Sequence, residues 1–201
     1  MPDTTTVDLG PQARLVARLA SGVPDAALAD PTPCPEYRVR ELLAHLTGLA
    51  VAFRDAARKD LGPTTDTAPG RAGAPSLPSD WREVLPRVLT EMAEAWREPA
   101  ARTGMTRAGG VDLPGEIALA VAADELVVHG WDLARATGQG YAPDHAALGV
   151  AHAFLRQAAE DGDRGGGAFG AVVPVPDDAP LIDRTIGLSG RDPRWTAAPP
   201  P

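Results

Sequence analysis

Cysteine is nearly absent from this sequence, with Cys34 the only one among 201 residues. A single cysteine excludes an internal disulfide and a zinc site built from several cysteines. Basic residues are also too few for a cationic surface, since 19 Lys and Arg oppose 27 Asp and Glu. Nucleic acid and anionic lipid are therefore disfavoured as partners. No apolar run is long enough to cross a bilayer and no signal-peptide pattern begins the chain, so we expect a cytoplasmic protein.

Apolar residues are plentiful, at 44% of the chain, and they recur with helical spacing. The spacing predicts helices over 11–21, 39–59, 81–96, 116–137 and 145–160, and a shorter one over 179–189. Strand signals are few, although the irregular stretch 99–113 is compatible with a short hairpin. The four longer helices can bury their apolar faces only on one another, which predicts an all-α four-helix bundle. We expect one domain over 1–201, with a core at about 10–160 and an irregular C-terminal extension at 161–201.

The helix predicted over 116–137 is apolar on most of its surface, which is typical of a helix central in its domain. Three polar residues interrupt it at spacings of four and three, so Glu125, His129 and Asp132 share one face. Asp124 and Arg135 belong to another flank, where we expect contact with water. A buried carboxylate needs a partner because an unpaired buried charge is costly. The partner is either a metal ion held by Glu125 and His129 or a hydrogen-bonded core cluster without metal.

Two further residues are candidates for this region. His45 lies on the core face of the helix predicted over 39–59, where we expect a hydrogen bond to a backbone carbonyl or a pairing with Glu41 one turn earlier. Cys34 precedes that helix, whose N-terminus favours a thiolate, but its flanking prolines favour a buried spacer. We do not count Cys34 as a ligand because it lies far before His45 along the chain. The long loop 61–79 is either mobile or lies across a site.

Three segments carry a resemblance to a known family: TPCPEYRVRELLAHLTG at 32–48, ADELVVHGWDLARATG at 123–138, and the ending VPVPDDAP…GRDPRW. Together they resemble the small proteins of the DinB/YfiT-like superfamily that are similar to the N-terminal domain of mycothiol-dependent maleylpyruvate isomerase. The resemblance implies a four-helix bundle and a divalent metal, usually zinc. It implies His45, Glu125 and His129 as the ligands. Asp132 lies one turn beyond His129, where it either orients a ligand from behind or makes a hydrogen bond between helices.

A His–Glu–His donor set suits Zn²⁺, Ni²⁺, Mn²⁺ or Fe²⁺ and leaves a coordination position open. The leading hypothesis is a metal-dependent S-transferase or isomerase that uses a small thiol, by resemblance mycothiol, and an electrophilic small molecule. The alternatives are a metal-binding sensor or interaction module without catalysis, and a helical scaffold whose polar face is only a core network. We expect a monomer or a homodimer.

Overall fold

The computed structural model describes residues 7–67, 76–160 and 170–197. Eight α-helices and one two-stranded sheet lie in these ranges, as expected for an all-α fold. The helices are α1 (Gly10–Ser21), α2 (Val39–Arg58), α3 (Pro63–Asp66), α4 (Trp81–Ala95), α5 (Pro99–Arg102), α6 (Gly115–Ala136), α7 (His145–Glu160) and α8 (Leu181–Leu188). The strands are β1 (Met105–Ala108) and β2 (Val111–Pro114), and a 3-10 turn spans Asp25–Ala29.

Helices α1, α2, α4 and α6 form the four-helix bundle, in which α1 and α2 each pack against both α4 and α6. Their facing side chains are fully buried, among them Val16, Leu42, Leu46, Leu85, Met92, Leu119 and Leu126. The sequence predicted a bundle of the four longer helices, and this detail is wrong. The short helix α1 is the fourth helix of the bundle, and the longer α7 lies outside it. Helix α7 instead packs against α6, and α8 packs against α7. Helix α6 is therefore covered from two sides, which explains its nearly continuous apolar surface.

The boundaries of α6 follow from local sequence. It ends at Ala136, and Gly138 adopts a φ of 66° just beyond, a left-handed conformation that glycine adopts at helix ends without steric cost. Near its middle, the buried Gln12 of α1 donates from Nε2 to Leu126 O at 3.0 Å and to the Tyr141 hydroxyl at 2.9 Å. The Tyr141 hydroxyl donates in turn to Val127 O. These bonds set the position of α6 relative to α1.

The stretch before α6 contains the hairpin, with β1 and β2 antiparallel and Ala108 opposite Val111. Gly109 and Gly110 connect the strands with φ values of 60° and 80°, the combination that a two-residue type I′ turn requires. Strand β1 packs against α2 and α6. The middle of the predicted 61–79 loop, residues 68–75, lies outside the described residues, so its predicted mobility or position across a site stays a prediction.

The described C-terminal segment, residues 170–197, adds a second layer on the outer side of α6. There Val128 and Trp131 pack with Leu155 of α7 and Ile186 of α8, and Trp195 packs partly against the same cluster. The predicted short C-terminal helix is thus present as α8. Within the described ranges, the helices are all too short or too polar to traverse a lipid bilayer.

Candidate metal centre

The three predicted ligands come together between α2 and α6. Glu125 and His129 lie one turn apart on α6, and His45 faces them from α2. Glu125 Oε2 lies 3.3 Å from His45 Nε2 and 3.1 Å from His129 Nε2. The two imidazole centroids are 4.8 Å apart, with their planes inclined at 80°. Two nitrogens on different helices therefore converge on one carboxylate oxygen.

The cluster is nearly buried but retains a path to solvent. Side-chain exposure is 12% for His45, 10% for His129 and 25% for Glu125. Although burial favours the neutral acid, hydrogen bonds with His129 and His45 hold the pKa of Glu125 below its usual range. Burial likewise opposes protonation of His129, but Asp132 and Glu125 outweigh it and raise the pKa to about 9. In the absence of metal, protons provide the positive charge that Glu125 requires.

Asp132 orients His129 from the side opposite Glu125. Its Oδ2 lies 2.9 Å from His129 Nδ1, and its side chain has no solvent exposure. A carboxylate on Nδ1 fixes the imidazole tautomer in which Nε2 carries the lone pair. Asp132 also accepts hydrogen bonds from Arg191, which follows α8. The sequence left two roles open for Asp132, orienting a ligand or bonding another helix. It did not reveal Arg191 as the partner, because nothing in the local pattern connects residues 59 positions apart.

Tyr37 and Cys34, from the segment before α2, complete the surroundings. The Tyr37 ring lies 5.0 Å from the His45 ring, centroid to centroid, at an interplanar angle of 32°. Cys34 is buried, as the spacer interpretation predicted. Burial and the charge of Asp132 raise the pKa of its thiol, which therefore stays protonated.

Distance along the chain was nevertheless a poor guide to the position of Cys34. Its Sγ lies within 4.8 Å of ligand atoms of both His129 and Asp132. These three residues form a second possible ligand set. Its carboxylate is not available to a cation, because Asp132 already pairs with Arg191 and His129.

The remaining polar residues of the predicted helices lie elsewhere. His145 is exposed, and His152 Nδ1 lies 3.2 Å from Thr185 Oγ1, so neither joins the cluster. The expectation that water reaches Asp124 is wrong, because this side chain is only 3% exposed. The outer layer of α7 and α8 covers that flank of α6, and a periodic pattern does not reveal which faces of a helix are covered. Arg135 is exposed, as expected.

The donor set and its surroundings fit a divalent metal ion. Within the described residues, one nitrogen of His45, one of His129 and one oxygen of Glu125 all lie within 4.8 Å of one another. Two imidazoles and one carboxylate are the ligand types of catalytic zinc sites, and a carboxylate on the second nitrogen of a histidine is usual around zinc. Both imidazoles also contact the same oxygen, Glu125 Oε2, which would not be expected of three unrelated polar groups at a surface.

The bundle and its His–Glu–His cluster define the class of protein as a DinB-like four-helix bundle. Comparison with protein families matches residues 9–134 to the mycothiol maleylpyruvate isomerase N-terminal domain. The chain therefore belongs to the family of that domain. The matched region contains α1 through most of α6 and includes all three candidate ligands and Asp132.

The comparison with curated proteins extends the similarity further along the chain. Two uncharacterized proteins, from two strains of Mycobacterium tuberculosis, are each 24% identical to it over 176 residues. The alignments cover 87% of this chain and 91% of each relative. The search of solved structures gave no significant match.

Proposed function

We propose that the chain binds one divalent metal ion, with zinc as the first candidate, through His45 Nε2, Glu125 Oε2 and His129 Nε2. The observation that carries the proposal is the convergence of two imidazole nitrogens from different helices on one buried carboxylate oxygen. A core hydrogen-bond network needs neither two histidines nor a third polar residue behind one of them. A metal centre needs both features, because its ligands must be deprotonated and fixed in orientation.

The reaction we propose is transfer or addition of a small thiol, with mycothiol as the first candidate because the family is described by it. His45, Glu125 and His129 would hold the ion, which would supply the positive charge that lowers the pKa of a bound thiol. When the thiol adds to an unsaturated acid, its sulfur bonds to one alkene carbon and its proton goes to the other. If rotation follows and the thiol leaves by the reverse steps, the net reaction is isomerisation.

The residues of this chain have distinct parts in the proposed function. Glu125 contributes the negative charge that offsets the ion, and His45 and His129 hold the ion between α2 and α6. Tyr37 forms an aromatic wall beside His45. The 25% exposure of Glu125 marks the side from which a small molecule reaches the centre.

Metal content is the direct test. Protein purified without added metal is analysed for zinc, nickel, manganese and iron, and we expect about one equivalent of a single ion. His45→Ala and Glu125→Ala should lose that ion. The matched control is His152→Ala, a partly buried histidine outside the cluster, which should retain it. Wild-type protein that remains free of metal after incubation with zinc would refute the proposal.

Thiol chemistry is tested separately, with mycothiol and an unsaturated acid as the reagents. Turnover by the metal-loaded protein, and none by the chelated protein or His45→Ala, is the expected result. Full metal occupancy without thiol-dependent turnover for any electrophile tested would instead favour the sensor or interaction module.

A further inference from the structure

Arg191 reaches the candidate metal centre from a part of the chain that the family match does not include. It follows α8, and the chain turns towards α6 at Gly190, where φ is 88°. A side chain at Gly190 has no room, because an added Cβ would lie 2.7 Å from Gly170 Cα. The backbone N–H of Arg191 then donates to Ile186 O at 3.1 Å. This geometry delivers one arginine to the buried face of α6.

The guanidinium of Arg191 is held on several sides. Its Nε lies 3.1 Å from Asp132 Oδ1, and its Nη2 lies 3.0 Å from Asp132 Oδ2. Its Nη1 donates to Ser189 O at 3.2 Å. The side chain is only 12% exposed, and that of Asp132 is not exposed at all. A two-pronged pairing of this kind fixes the plane of the carboxylate as well as its position.

The fixed carboxylate is the one that orients His129. Arg191 donates to Asp132, and Asp132 accepts the Nδ1–H of His129 at 2.9 Å. His129 Nε2 is thereby directed at Glu125 and towards His45. Without Arg191, Asp132 loses its bidentate partner and is free to rotate, and the imidazole loses its fixed orientation.

We propose that Arg191 is a positioning residue of the metal centre, acting on His129 through Asp132. The inference rests on the proposed function, since it presupposes that His129 ligates the ion. It extends that function by making the segment after α8 part of the centre, although the family match ends at residue 134. Loss of the Arg191 guanidinium should therefore weaken metal binding while the three ligands remain in place.

The chain offers a control for a merely structural role. Arg135 also fastens this segment, because its Nη2 donates to Pro193 O and Trp195 O at 3.1 and 2.9 Å. It has no hydrogen bond to Asp132 among those of the described residues. Arg135→Met thus loosens the same segment and spares the Arg191–Asp132–His129 chain.

The experiment measures zinc affinity by competition with a chromophoric chelator. Arg191→Met should bind zinc about 10–100-fold more weakly than wild type, the effect expected for a group behind a ligand. Arg191→Lys should recover part of the loss, and Arg135→Met should bind as wild type does. In the Asp132→Asn background, Arg191→Met should cause no further loss, because both changes interrupt the same chain.

A spectroscopic measurement separates positioning from folding. The Co²⁺ absorption bands report ligand geometry, so Arg191→Met should shift them and Arg135→Met should not. The inference is overturned if Arg191→Met and Arg135→Met bind zinc equally well, or if losses from Arg191→Met and Asp132→Asn are additive. If Arg191→Met does not fold, Arg191→Lys is compared instead. A zinc affinity and a Co²⁺ spectrum equal to those of wild type then overturn the inference as well. Failure of wild type to bind zinc refutes the proposed function itself and is seen before any variant is compared.

Discussion

His129 connects the two halves of the candidate centre, since its two ring nitrogens face Glu125 and Asp132. These contacts raise its pKa in the metal-free protein to about 9 from an ordinary value of 6.5. The folded state thus binds a proton more tightly than the unfolded state. The resulting stabilisation is fully present below pH 6.5 and is lost as pH rises through 9.

We therefore expect the free energy of unfolding of the chelated protein to fall by roughly 3 kcal/mol between these limits. Denaturant titrations at several pH values would measure it. His129→Gln should lack this decline, and a wild-type stability that is constant or rises over the range would contradict the prediction.

Asp124 presents a different problem, because it is buried beside Glu125 and its Oδ1 has no hydrogen-bond partner among the described residues. Burial, followed by the charge of Glu125, raises its pKa well above the ordinary value of 3.8. The unfolded state ionises more readily than the folded state, so this residue costs stability as pH rises above that value.

Asp124→Asn removes the ionisation and should stabilise the protein at pH 7, by on the order of 1 kcal/mol. The gain should shrink as pH falls below 3.8, where both the folded and the unfolded wild type hold the proton. Thermal melts of both proteins across this range would measure it, with the exposed Asp178→Asn as control. A difference in melting temperature that does not change with pH would count against a neutral Asp124.

At the scale of single elements, α7 contains a glycine that its packing does not require. Gly149 is exposed in the middle of the helix, and an added Cβ would meet no atom within 4 Å. Gly149→Ala should raise the free energy of unfolding by about 0.5–1 kcal/mol, because alanine loses less backbone entropy on folding. Chemical denaturation would show the gain.

Gly187 in α8 supplies the opposite case. A Cβ there would lie 2.5 Å from Val175 Cγ2 and 2.6 Å from Val173 O, so Gly187→Ala should destabilise the protein. Equal effects of the two substitutions would show that the close approach of the 170–175 segment to α8 is not as described.

The elements themselves were largely predictable from the sequence. The predicted range 39–59 differs from α2 by one residue at its end, and 145–160 agrees with α7. Apolar spacing and a following glycine are local signals, and they also fixed which face of α6 contains Glu125 and His129. The residues that cover a helix face come from distant parts of the chain, and local sequence signals do not reveal them. For this reason the burial of Asp124, the place of Cys34 beside His129 and the pairing of Arg191 with Asp132 needed the three-dimensional structure.

For the molecule as a whole, the proposed ion joins two helices of the bundle, α2 and α6. An ion bound only by the native state stabilises it according to its affinity, by about 4 kcal/mol at a concentration 1,000 times Kd. Adding EDTA should therefore lower the melting temperature of wild-type protein. His45→Ala, which lacks a ligand, should melt at the same temperature with and without EDTA. A wild-type melting temperature unaffected by EDTA would indicate that the two helices are held by packing alone.

Helix α6 lies between two other bundle helices, α1 and α2, on one side and the α7–α8 layer on the other. Its amide hydrogens are shielded until both layers have separated from it, which requires opening nearly the entire molecule. In heavy water, deuterium should therefore enter the middle of this helix last. The two proposed metal ligands on α6, Glu125 and His129, thus lie on the part of the backbone whose amide hydrogens we expect to exchange most slowly.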